Sequence, residues 1–162
     1  TLWYDGWSLP LGASLLPLIL RLPFGKRYRY VEAYPYGIKN ERIRKFIMAK
    51  MEAGDSIAAG LRGTPGQSLA ELLQLIGGTK RQLPTVEAPT LIVHAREDDM
   101  AHLRNAHRLR DALAGPTRLE ILEDSYHMIH VDKERGRVGD MTAAFFGAPV
   151  RAERPQQARV DA

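Results

Sequence analysis

Cysteine is missing from all 162 residues, which excludes any disulfide and any zinc site built on thiolates. That absence fits a reducing, cytoplasmic setting. Dense charge of one sign is also missing. The net charge of +4 is carried by scattered residues such as Arg27 and Arg29, Arg42 and Arg44, and Arg104, Arg108 and Arg110, with acids between them. A nucleic-acid surface concentrates its cations in one patch, so no nucleic-acid partner is expected. Long apolar runs are lacking: residues 9–20 form the most apolar stretch, and Pro10 and Pro17 interrupt it. It falls short of the roughly 20 residues that a membrane span needs. There is no basic n-region leading into an apolar core and a small-residue cleavage site, the pattern of a secretory signal. No glycine-rich phosphate loop follows a strand-like run, so nothing points to a nucleotide cofactor. The chain has no internal repeat.

What is present reads as a soluble α/β protein. Hydrophobic residues make up 44% and charged ones 26%, the balance of a globular domain with a core of its own. The sequence is organised around residues 88–132. There Leu91-Ile92-Val93-His94 is a short apolar run followed by Arg96-Glu97-Asp98-Asp99, and Leu119-Glu120-Ile121-Leu122 is followed by Glu123-Asp124-Ser125-Tyr126-His127. A helix at residues 101–114 lies between them, stopped by Gly115-Pro116. Strands joined by a helical crossover in one sheet are parallel. Both polar loops then fall at the same carboxyl edge, where open α/β sheets hold their ligands.

Ahead of this unit the periodicity changes. Residues 1–38 hold four prolines and most of the aromatics and keep no period for long, with one short helix at residues 14–20. Thr1-Leu2-Trp3-Tyr4 reads as the tail of a strand, which suggests the C-terminal part of a larger protein. Asn40 is suited to cap a helix over residues 41–53, with Ile43, Phe46, Ile47 and Met51 on its apolar face and Gly54 as its left-handed stop. A second helix begins near Gln67 or Ser68 and is expected to weaken or end at Gly77-Gly78, because each glycine costs roughly 1 kcal/mol in a helix interior. Asp132 is placed to cap a last helix reaching Phe146, with Val138, Met141 and Phe145 inward. The expected division is residues 1–9 as the end of a core strand and its loop, 10–84 as a mostly helical insertion, 85–149 as the sheet-forming unit, and 150–162 as a disordered tail.

Asp98 and His127 are the residues that point to chemistry. A hydrolytic histidine takes a nucleophile's proton on one ring nitrogen and is oriented by an acid on the other. Placed on neighbouring loops, Asp98 and His127 supply the acid and the base, in the chain order acid then histidine of α/β-hydrolases. Glu97 and Asp99 then point elsewhere, and Asp124 lies on the histidine's own loop. Taken singly, the acids read equally as a solvated turn. The nucleophile is the gap. The nearest approach to G-x-S-x-G is Gly54-Asp55-Ser56-Ile57-Ala58, but the residues before it have helical spacing where a nucleophile elbow needs a strand. A metal site built on His127, His130 and Asp132 is the other use of the histidine; three or four converging ligands would be needed.

PTLIVHAREDDMA followed by LEILEDSYHMIHVDKER resembles the end of the α/β-hydrolase carboxylesterases and monoacylglycerol-lipase-like enzymes. The resemblance is good over residues 86–147 and looser before. It implies the C-terminal half of an α/β-hydrolase fold, with Asp98 as catalytic acid, His127 as catalytic base, and Asp132 as the acid that opens the final helix. It implies that residues 10–84 are a cap or lid, and that Trp3, Tyr4, Trp7 and Met128 line the substrate pocket. The glycine usual before the histidine is Tyr126 here. The implied reaction is hydrolysis of a small-molecule ester with an apolar acyl group, without cofactor or metal. The serine and oxyanion hole would come from a missing N-terminal half; the expected macromolecular partner is that half or a second copy in a homo-oligomer. Dehalogenation or C–C bond hydrolysis would use the same pair, and a non-catalytic binding piece is the alternative of a different class.

Overall fold

A parallel pair of strands forms the centre of the fold. The computed structural model describes residues 2–10, 12–31, 34–54 and 63–147. Ser56 and the expected tail lie outside the described residues. The strands are β1 Arg29–Val31, β2 Gly63–Pro65, β3 Thr90–Ala95 and β4 Thr117–Leu122. β3 and β4 pair in parallel from Thr90 opposite Thr117 to Ala95 opposite Leu122. Backbone bonds continue past both ends, Thr90 N–H to Pro116 O and Arg96 N–H to Leu122 O. Ala95 and Leu122, the last pair, are fully buried. The loops after both strands therefore leave the sheet at one level, as a parallel pairing demands.

The helices are α1 Leu16–Ile19, preceded by a 3-10 turn at Ala13–Leu15, α2 Pro23–Arg27, α3 Glu41–Glu52, α4 Gly66–Gln82, α5 Arg104–Ala112 and α6 Arg135–Phe145. α5 joins β3 to β4 and packs on both. It starts three residues later than its pattern suggests, because the Asp98 carboxylate accepts the Met100 and Ala101 N–H groups and holds them in a turn. At its far end Ala114 and Gly115 both donate to Val86 O. A side chain at Gly115 would meet the Glu87 backbone oxygen at 2.2 Å, so only glycine fits there.

α3 begins where its cap predicts: Asn40 Oδ1 accepts the N–H groups of Arg42 and Ile43, and Gly54 follows with φ +75°. Its buried face differs from the expected one. Phe46 is exposed, and Arg44 is buried instead. The Arg44 guanidinium donates to Ile38 O and lies 4.7 Å from the Tyr34 ring, so its partners offset the cost of burying a charge.

α4 runs straight through Gly77-Gly78 rather than ending there. Ile76 before the pair and Leu83 after it are both buried. Tertiary packing of that face outweighs the glycine penalty. The short antiparallel pair β1 and β2 was not legible in the sequence: it spans three residues on each side, too few to leave a period. It brings Gly66 against Gly25, where a side chain on either residue would clash with backbone. α6 opens at Arg135, not at Asp132, and Glu134 occupies its cap position without capping it through its side chain, which bonds to the Asp124 N–H and Ser125 instead. Val138, Met141 and Phe145 form its half-buried face, and Gly147 ends it at φ +72°.

Residues 2–9 contain no strand. Their backbone groups bond instead to the loop after β3: Gly6 N–H to Met100 O and Ser8 N–H to Asp99 O, both 3.0 Å. Asp5 adds side-chain bonds to Arg104 and Asn105 and accepts the His102 N–H. These bonds tie the segment to the β3 loop without a strand ladder. Among the described residues no helix is long and apolar enough to cross a membrane.

Candidate active site

The loops after β3 and β4 bring Asp98 and His127 together. His127 Nδ1 lies 2.9 Å from Asp98 Oδ2 and 3.1 Å from Oδ1. The Asp98 side chain is 3% exposed and that of His127 is 29%. Burial pushes the Asp98 carboxyl up. The hydrogen bond and charge of His127, with the Ala101 and Met100 N–H groups, outweigh that and hold it below the ordinary carboxylate range. An ionised carboxylate can only accept, so His127 Nδ1 carries a proton and Nε2 is the basic nitrogen of the neutral ring. No hydrogen bond occupies Nε2 among the described residues.

A second imidazole stands on the other side of Asp98. His94, on β3, has its Nε2 3.0 Å from Ala101 O and 3.7 Å from Asp98 Oδ2. Burial lowers its proton affinity; Asp98 and the Ala101 carbonyl oppose this, but the net direction is down, with His127 and His102 adding to it. The folded state therefore prefers neutral His94. The unfolded chain takes up the proton first as pH falls, so this stability is complete above about pH 6.5 and lost below it. The urea midpoint should fall as pH is lowered from about 7.5 to about 5, and His94→Gln, which keeps a donor for Ala101 O, should flatten that fall. An unchanged pH slope in the variant would refute the assignment.

The remaining acids point away from the ring, as expected. Glu97 pairs with Lys39 at 2.7 Å, and Asp124 pairs with Lys39 at 2.9 Å and Lys133 at 3.0 Å. Lys39 thus bridges the two loops, and its hydrogen bonds to Glu97 and Asp124 raise its proton affinity. Asp99 and Asp132 are fully buried and bond to backbone N–H groups. That excludes Asp132 from a metal set with His127 and His130. Among the described residues no three histidine or acidic side chains could hold a metal ion.

Two clefts open nearby. One, of about 410 Å³, is lined by Asp98 together with Asp5, Trp7, Arg96, Glu97 and His102. The other, of about 590 Å³, includes Trp7, Tyr34, Lys39, Arg44, Tyr126 and Lys133. Trp7 borders both, with its ring edge-on to Tyr126 at a 5.5 Å centroid separation. Trp3 and Tyr4 line neither: Lys80 Nζ sits 4.6 Å from the Trp3 ring, and Tyr4 is partly exposed on the irregular N-terminal segment. Met128 is next to His127, with its N–H donating to Gly37 O, but it borders neither cleft. Sequence reasoning missed Lys39 and Tyr126 as neighbours of the site, since Lys39 sits in a segment without period.

An acid and a histidine on adjacent parallel βα loops are the arrangement that α/β-hydrolase folds carry at the carboxyl edge of the sheet. A family model described as serine aminopeptidase, S33, matches residues 48–134, more than half of the chain. The chain belongs to that family, and its structure covers part of an α/β-hydrolase fold. The monoacylglycerol lipase of Paleococcus ferrophilus superposes with a TM-score of 0.66 at 14% identity, over 88% of this chain and 53% of that one. A soluble variant of monoglyceride lipase from Saccharomyces cerevisiae, in complex with a substrate analogue, gives 0.62 at 13%, over 82% and 47%. At such identities the likeness is one of fold alone. A structure from the metagenome-derived lipolytic enzymes LipS and LipT is 26% identical over 52% of this chain and 35% of that one, with a TM-score of 0.50. The chain spans about half the length, or less, of these relatives.

Proposed function

We propose that this chain supplies the acid and the base of a serine-type ester hydrolase of the carboxylesterase or lipase kind. The observation that carries the reading is the 2.9 Å contact from His127 Nδ1 to Asp98 Oδ2 with Nε2 left open. In this mechanism Nε2 takes the proton of a serine hydroxyl as its oxygen attacks the ester carbonyl. Asp98 stabilises the imidazolium, which then protonates the departing alcohol. Water repeats the cycle on the acyl-enzyme, and no step calls on a cofactor. The serine and oxyanion hole come from outside residues 1–162, from an N-terminal half of the fold. Residues 10–84 act as the cap, and Trp7 and the apolar cap side chains favour an apolar acyl group. The lipolytic relatives support this reaction class.

The test uses the full-length polypeptide that carries this chain. A fluorophosphonate probe should label it, p-nitrophenyl butyrate should be hydrolysed, and aminoacyl p-nitroanilides should be turned over far more slowly. A folded protein that takes no label and cleaves no ester would overturn the reading, and preferential cleavage of the anilides would replace it with peptidase activity.

A further inference from the structure

His127 depends on a loop with no regular structure of its own. Twelve residues separate the end of β4 at Leu122 from the start of α6 at Arg135. The ring can meet Asp98 only if that loop is held, and two buried carboxylates hold it by its backbone. Asp132 Oδ2 accepts the Tyr126 N–H at 2.8 Å. Asp99 Oδ1 accepts the His127 N–H at 3.3 Å. The Met128 N–H goes to Gly37 O at 2.8 Å. Three successive N–H groups across the histidine are therefore all taken.

The other ends of these contacts lie in one distant segment. Asp99 Oδ2 accepts the Gly37 N–H at 3.1 Å. Asp132 Oδ2 also accepts the Lys39 N–H at 2.8 Å, and Oδ1 accepts Asn40 N–H at 2.8 Å and Lys133 N–H at 2.9 Å. Tyr36 and Gly37, both with positive φ, make the turn that delivers those N–H groups. A side chain on Gly37 would press on Met128 Cγ and on His127 Cβ, at 2.9 and 3.2 Å. Both carboxylates have no exposed surface, where charge-assisted bonds are strong and a missing acceptor is costly.

We infer that Asp132, seconded by Asp99, is a positioning residue for His127, fixing the histidine loop through its amides and tying it to residues 37–40. The inference rests on His127 being the base of the reaction proposed above. Asp132→Asn keeps the shape but turns an amide N–H₂ toward amide donors. It should remove the downfield Nδ1–H proton resonance of His127, assigned through its loss in His127→Gln. It should also lower kcat about 10- to 100-fold with KM changed less than about 3-fold, the effect of a slightly misplaced group. Assays run well below the variant's melting temperature separate this from lost stability, which would leave ring and kcat unchanged. A folded Asp132→Asn protein with the wild-type resonance and kcat overturns the inference. If that variant does not fold, Asp99→Asn is judged by the same two readouts. If neither folds, hydrogen exchange of the wild-type protein decides. The amides of Tyr126, Lys39 and Asn40 should open together, and a fast Tyr126 beside a protected Lys39 and Asn40 would sink the tie. Because the resonance needs no turnover, a protein that shows it but cleaves no ester refutes the esterase reading and leaves the positioning role standing.

Discussion

Asp98→Asn is expected to lower kcat for ester hydrolysis about 10⁴-fold while the protein stays folded. The reason lies in how the two carboxylate oxygens are used. Oδ1 accepts the Met100 and Ala101 N–H groups at 2.8 Å each, and Oδ2 is the closer partner of His127 Nδ1. The asparagine oxygen can keep the first pair, so the turn after β3 survives. Its N–H₂ then faces Nδ1, and the ring must turn its Nδ1 lone pair to it and carry its proton on Nε2, the wrong tautomer for a base. His127→Ala should cost at least as much. The double variant should be no worse than His127→Ala alone, because residues acting as one unit are not additive. Steady-state kinetics with p-nitrophenyl butyrate, with circular dichroism as the folding check, measure all three. An Asp98→Asn protein within about 10-fold of wild type would remove Asp98 from the mechanism.

Leu122→Ala should destabilise the fold by about 2–5 kcal/mol, the range for a large-to-small change at a closed site. Leu122 is fully buried, ends β4 opposite Ala95, and accepts the Arg96 N–H at its backbone oxygen. Alanine cannot fill the space, and Ala95 across the register is too small to swing into it. The urea midpoint should fall with the slope unchanged. Arg118→Ala on the same strand, where the side chain is 64% exposed, should move stability by no more than about 0.5 kcal/mol. Equal effects at the two positions would mean that the β3–β4 edge is not the core of this fold. The strand that ends in buried Leu122 also sets the height of the loop bearing His127. Weak Leu122 variants should therefore lose activity as temperature rises before they unfold globally.

The two buried acids and the Asp98–His127 pair divide the contacts of the site by chemistry. Asp98 meets an imidazole, where charge and proton position matter. Asp99 and Asp132 meet only backbone N–H groups, where the acceptor matters and the identity of the donating residues does not. This explains how Tyr126 can stand where the resembling enzymes carry glycine. Its backbone N–H makes the contact to Asp132, while its ring packs outward against Trp7.

The sequence by itself determined β3, β4, the helix between them and the Asp98–His127 pair, because each is local. Apolar runs of strand length, a glycine stop and a polar residue just past each strand suffice once the crossover makes the strands parallel. The Asn40 cap and the stops at Gly54 and Gly147 were equally legible, since a cap or a positive φ is a property of a few neighbouring residues. Only the tertiary structure decided that Asp132 caps no helix but takes the N–H of Lys39, 93 residues away. It also decided that α4 crosses two glycines, that Arg44 and not Phe46 turns inward, and that residues 2–9 lean on the β3 loop without forming a strand. The physical reason is common to all four. A backbone N–H or a buried side chain takes whichever partner the returning chain brings to it. Side-chain periodicity records which face of an element is apolar, not which distant segment will lie against it.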